Sequence, residues 1–111
     1  MNPYDKVHEL VRAIKDSEEV KSYLNLKEEL YKDETTKNLI REFREKQIEV
    51  QNLMIQGKEA DQEKMEKLQS LYVTLTSNVK VKDFFDKEVA FDVMLSDIYK
   101  IMGEGLKEIL D

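Results

Sequence analysis

Asp5-x-x-His8 is the one place where a carboxylate and an imidazole fall three residues apart, with His8 the only histidine. On a helix that spacing makes them neighbours, so the pair could bind a metal or pass a proton. A di-iron carboxylate bundle needs two Glu-x-x-His motifs and two further Glu, and one Asp-x-x-His falls short of that set. A histidine at or near the surface is the simpler reading, with an uncharacterised metal-binding helical protein kept as an alternative. Glu18, Glu19, Glu28, Glu29, Glu42, Glu45 and Glu49 invite a general-acid reading. They fall mostly opposite the apolar positions, as a solvated helix face requires. Catalysis would need a cleft and a shifted pKa besides. There is no G-x-S-x-G and no glycine-rich phosphate loop. Cysteine is absent, which excludes disulfides, thiol nucleophiles and cysteine-held iron–sulfur clusters within this chain. No catalytic residue, no cofactor and no metal site is expected, and the protein is not expected to be an enzyme.

Lys37, Arg41 and Arg44 recur at spacings of four and three and could meet phosphate, which makes direct RNA binding through that face an alternative function. Glu34, Glu42 and Glu45 stand among them and lower the local potential, so surface ion pairs are the favoured reading. The formal net charge of −6 also opposes nonspecific nucleic-acid binding and attraction to anionic membranes. No run of apolar residues approaches a membrane span, and MNPYDKVHEL lacks the apolar core of a signal peptide. The expected location is the cytoplasm.

The elements that carry these residues are helices. Charged residues are 38% of the 111, with three Gly and one Pro, a composition rich in side chains that lose little rotamer freedom in a helix. At 41% hydrophobic content the chain can still build a core. No strand pattern and no internal repeat is present. The fold class is therefore all-α: an elongated bundle of about five helices in one domain, 1–111, with a long antiparallel helical hairpin and no sheet. The helices are expected at about 3–15, 17–32, 34–56, 61–77 and 80–102, with a short final turn at 104–110. Asn2 caps the first, with Pro3 at its first position. Asp16 or Ser17, Asp33 and Asp61 start the next three. Ser77-Asn78 offers a break or cap before the last. Gly57 suits the left-handed residue that ends the third helix, and Lys58 to Asp61 make the loop.

Apolar residues then sort into stripes at spacings of three and four. The first helix has Tyr4, Val7, Leu10, Val11 and Ile14; the second has Val20, Tyr23, Leu24, Leu30 and Tyr31. The hairpin carries Leu39, Ile40, Phe43, Val50, Leu53 and Met54 outward and Met65, Leu68, Tyr72, Leu75 and Val79 back. The last helix has Phe84, Phe85, Val89, Phe91, Leu95, Ile98, Tyr99 and Met102, and as the most hydrophobic it is expected to be the most buried. A third helix of about 23 residues would be about 34 Å long. A compact chain of this size has a radius of gyration of about 13 Å, so that helix would span it. Stripes so long call for cover from a second chain. The candidate dimer or partner interface is Ile40, Phe43, Gln47, Val50, Met54, Met65, Leu68, Tyr72, Leu75 and Val79. The expected partner is a second copy or a related helical protein, with a further regulatory protein beyond it; neither a membrane nor nucleic acid is expected.

Several of these features together resemble the YlbF/YmcA family of small bacterial helical proteins, and its YheA-like branch in particular. They are Tyr4 with the stripe to Ile14, Ser17-Glu18-Glu19, Asp33, Phe43, Gln47 with Gln51, and Gly57 in the turn. Leu68, Leu71 and Leu75 ahead of the Phe84-to-Ile98 helix complete the likeness, which covers nearly all of the chain. The resemblance implies an all-α, often dimeric fold and a noncatalytic regulatory role exercised through complexes with related proteins and a further protein. In better-known relatives those complexes influence messenger-RNA processing through an endoribonuclease, and with it competence, sporulation and biofilm formation. Some relatives help hold iron–sulfur clusters through cysteines; without cysteine, this chain does not inherit that role.

Overall fold

The computed structural model describes residues 2–59 and 61–111. These form six helices, α1 (Pro3–Asp16), α2 (Glu18–Tyr31), α3 (Glu34–Ile55), α4 (Gln62–Thr76), α5 (Val79–Gly105) and α6 (Lys107–Leu110). No strand occurs among the described residues, and the fold is all-α. Ala60, inside the expected 58–61 loop, lies outside the described residues.

Short polar side chains set the helix starts. Asn2 accepts from the Tyr4 backbone N–H at 2.8 Å, Asp33 from that of Thr35 at 3.2 Å, and Asp61 from that of Lys64 at 2.8 Å. Each satisfies a donor that has no partner within its own helix. Asp33 also accepts from the Thr36 hydroxyl at 2.8 Å. At the break between α1 and α2 it is Ser17 that acts. Its hydroxyl donates to the Ile14 carbonyl at 2.7 Å and accepts from the Val20 N–H at 3.4 Å. Asn78 does the same work ahead of α5, accepting from the Lys80 N–H at 3.0 Å.

Gly57 ends α3 with φ of +75°, a conformation that costs any residue with a Cβ. The Gly57 N–H donates to the Met54 carbonyl at 3.0 Å and the Lys58 N–H to the Leu53 carbonyl at 2.9 Å. That pair of bonds is a Schellman motif, and it closes the carbonyls the helix would otherwise leave open.

The chain divides into two units, with the divisions inside α2 and α5. The hairpin unit is Leu26–Asp83. Here α3 and α4 pack side by side, and Leu30, Ile40, Phe43, Val50, Leu75 and Val81 are buried. The terminal unit comprises residues up to Asn25 together with Phe84–Asp111. Its buried side chains among the described residues are Val20 and Phe84. Phe84 stacks on Tyr23 with ring centres 4.9 Å apart and planes 6° apart; Phe91 lies 6.5 Å from the same ring. The Tyr23 hydroxyl donates to Glu88 at 3.3 Å.

Two expectations need correction. The last long helix is not the most buried element: only Val81 and Phe84 of α5 are buried, and every residue from Tyr99 to Asp111 is exposed. Apolar content measures how much cover a helix needs, and this part of the chain does not supply it. The helix also runs through Gly103 to Gly105. A Cβ built at either position would meet nothing within 4 Å, so no close contact requires glycine there.

Candidate functional site

The hairpin starts from two stripes that the Gly57 turn folds together. Phe43 on α3 and Tyr72 on α4 bring their rings to 6.0 Å between centres, tilted by 37°. Charged side chains flank the seam. Lys64 of α4 lies 2.6 Å from a Glu49 carboxylate oxygen of α3, Lys46 is 3.9 Å from the other oxygen, and Lys67 is 3.9 Å from Glu42. The hydrogen bond from Lys64, reinforced by its charge, holds the Glu49 carboxyl below its ordinary pKa. The same bond and charge hold the Lys64 ammonium above its own. These cross-helix pairs were missed in the sequence. The signal for them was present as opposite charges beside the seam on both helices.

Burial sorts the ten candidate interface residues. Ile40, Phe43, Val50 and Leu75 are buried within the hairpin unit, so they are core whatever else they serve. Leu68 is half-buried. Gln47, Met54, Met65, Tyr72 and Val79 are exposed, and Met54 and Met65 line one shallow depression with Gly57, Lys58 and Glu59 at the hairpin tip.

The other candidates fall on helix surfaces. His8 is exposed on α1. Lys37, Arg41 and Arg44 all lie on α3, Arg41 exposed and the other two half-buried. Among the described residues no three His, Cys, Asp or Glu side chains gather as a metal site would require. Nor is any helix of those residues long and apolar enough to cross a membrane.

The larger apolar surface is in the terminal unit. No residue of α1 is buried, and Tyr4, Val7 and Val11 of its stripe are exposed, Tyr4 by 77%. Val89, Val93, Tyr99, Ile101 and Met102 of α5 are exposed too, as are Leu106, Ile109 and Leu110. The sequence showed the α1 stripe and, on α5, Val89, Tyr99 and Met102, and suggested that α5 would be the most buried helix. Such a surface can do its work by binding apolar surface on another molecule.

Comparison with known proteins agrees with this architecture. A UPF0342 protein of Symbiobacterium thermophilum is 37% identical over 103 residues, covering 93% of this chain and 92% of its own. YheA from Bacillus subtilis has the same fold, with a TM-score of 0.71 at 22% identity over 98% of this chain and 99% of its own. Bacillus subtilis RicA, solved in complex with RicF, gives a TM-score of 0.63 at 24% identity, over 97% of this chain and 96% of the other. The family described as control of competence regulator ComK, YlbF/YmcA, matches residues 4–107. With its helices, its hairpin and nearly its whole length accounted for by that match, the chain belongs to the YlbF/YmcA family.

Proposed function

We propose that this protein is a noncatalytic association module, a cytoplasmic regulator that acts by binding other proteins. The observation that carries this reading is the uncovered apolar surface of the terminal unit, above all α1, where Tyr4, Val7 and Val11 are exposed, Leu10 and Ile14 are half-buried and no residue is buried.

Two comparisons support the same reading. The family description concerns control of a competence regulator, and a relative in this fold was solved with a protein partner. The partner here is a second copy or a related helical protein, with a further regulatory protein joining the complex. Competence control, and messenger-RNA processing upstream of it, are the processes we assign to it.

Affinity capture of the tagged full-length chain from its native cell tests the proposal. The expected result is a protein partner in stoichiometric amount, lost when Val7→Asp and Met102→Asp are combined. Recovery of the tagged chain alone, unassociated with itself or any other protein, would overturn it.

A further inference from the structure

Helix α5 carries apolar side chains on two opposite sides. On the inner side Phe84 is buried, and Phe91, Leu95 and Ile98 are half-buried. The outer side lies half a turn away. At about 3.6 residues per turn, Val89, Val93 and Ile101 fall in one band there, with Ala90 beside them. Val89 is 61% exposed, Val93 53% and Ile101 69%, and Ala90 is exposed as well. A helix that packs on one side needs one apolar stripe and keeps its other side polar. The outer band of α5 breaks that pattern and has no cover among the described residues.

Acidic side chains share the band. Asp86, Asp97 and Glu104 lie within it, all exposed, and from Asp86 onward Lys100 is the one basic residue among them. The surroundings have the same sign. The terminal unit holds twelve Asp and Glu against seven Lys and Arg, a net of −5 out of the chain's −6. Apolar and acidic side chains in one helical band complement a helix whose apolar stripe is flanked by Lys and Arg. A second copy of the chain is a poor fit, because it would set a like-charged band against this one.

Resting on the association reading above, we infer that the outer band of α5 docks a basic amphipathic helix of a different protein. The apolar stripe of that helix lies on Val89, Val93 and Ile101, and its Lys or Arg residues lie beside Asp97 and Glu104. The band from Val89 to Glu104 is about 24 Å long, so a docking segment of about four turns fills it.

Fluorescence anisotropy with the full-length protein tests this. The probe is a labelled amphipathic peptide of about 18 residues built from Leu and Lys, and its control is a Leu and Glu peptide of the same pattern. The lysine peptide should bind in about 50 mM NaCl and loosen by about tenfold or more in about 500 mM, because salt screens the attraction. The glutamate peptide should not bind. Asp97→Lys with Glu104→Lys should weaken the lysine peptide by about tenfold or more, and Val93→Ser with Ile101→Ser by about as much. Glu45→Lys with Glu63→Lys makes the same change of net charge at exposed positions of the hairpin unit and should alter affinity by less than about twofold. Circular dichroism should show unchanged helix content in all three double variants.

Absence of binding at low salt overturns the inference. So does binding that tightens with salt, or a loss that the hairpin-unit pair reproduces. Sedimentation without peptide reads the rival occupant: if Val93→Ser with Ile101→Ser halves the mass of the protein, a second copy covers the band and the inference fails. A stoichiometric partner in cell capture that both α5 double variants retain overturns this docking site and leaves the association-module reading standing, whereas recovery of the chain alone overturns both.

Discussion

The hairpin unit and the terminal unit are written in the same three-and-four pattern, yet they end differently. The hairpin unit buries six large side chains among the described residues; the terminal unit buries two. Apolar content does not explain the gap, since α5 is the most apolar of the long helices. Supply of a facing stripe does. The Gly57 turn returns the chain along α3, so Ile40, Phe43 and Val50 of that helix and Leu75 of α4 are buried, although Ile48, Met54 and Ile55 stay exposed. In the terminal unit α5 continues past Ile98 with no facing residue to bury it. A periodic stripe states a demand for burial, and connectivity decides whether the same chain meets it.

The sharpest way to break this comparison is to remove volume from each side. Ile40 is 0% exposed, so Ile40→Ala leaves a cavity and should cost about 2–5 kcal/mol, read as a lower urea midpoint with the slope unchanged. Val7→Ser in α1, measured at a concentration where the chain is monomeric, should shift stability by no more than about 0.5 kcal/mol. Equal losses at the two positions would show that the terminal unit seals its stripe as the hairpin does.

A smaller effect separates the turn from the stripes it joins. Gly57→Ala must hold a Cβ at φ of +75°, although open space surrounds it. The cost should be about 1–2 kcal/mol from backbone alone, and thermal melting would read it. No loss would mean that the turn relaxes without disturbing the α3–α4 seam.

The stripes, the caps at Asn2, Asp33 and Asp61 and the left-handed Gly57 were all legible in the sequence. Each is a local matter: a capping side chain acts within three residues, and helix periodicity is fixed by the 3.6-residue turn. What the sequence did not reveal is which stripe is covered by which. Ile40 and Val7 look equally apolar in a helical period, but one is sealed and the other is 51% exposed. The candidate interface on the hairpin mixes both outcomes: Ile40, Phe43, Val50 and Leu75 are buried, whereas Gln47, Met54, Met65, Tyr72 and Val79 are exposed. Likewise Lys64 and Glu49 are fifteen residues apart, too far for a rule about neighbouring helix turns. Their meeting depends on the register that Gly57 sets.

Gly103→Ala is the one substitution expected to stabilise. Gly103 lies within α5 with helical backbone, and nothing stands within 4 Å of an added Cβ. Replacing glycine by the best helix former should add up to about 1 kcal/mol, seen as a higher melting temperature. If this helix end is bare in the monomer, the gain comes from backbone propensity alone and persists at low protein concentration. A gain that appears only as concentration rises would instead place Gly103 against a second chain.

The smallest expected effect belongs to the ion pair beside the hairpin seam. Glu49 has a lower pKa folded than unfolded, because Lys64 hydrogen-bonds its charged form. Its contribution is therefore complete above the ordinary carboxylate range and is lost as pH falls through the lowered folded value. Lys64 has the mirror behaviour: its raised pKa gives stability that is full below the ordinary lysine value and lost as pH rises through the folded one. Comparing wild type with Glu49→Gln isolates the carboxylate. The wild-type melting temperature should be slightly higher at neutral pH, and the difference should vanish on acidification. High salt should shrink the neutral-pH difference, because both side chains are well exposed and exposed pairs are screened. A difference that stays constant from neutral to acid pH would mean that the carboxylate's charge does nothing for the hairpin. The closure of α4 on α3 would then rest on the apolar seam alone, and the contrast between the two units would reduce entirely to which stripe finds a facing surface.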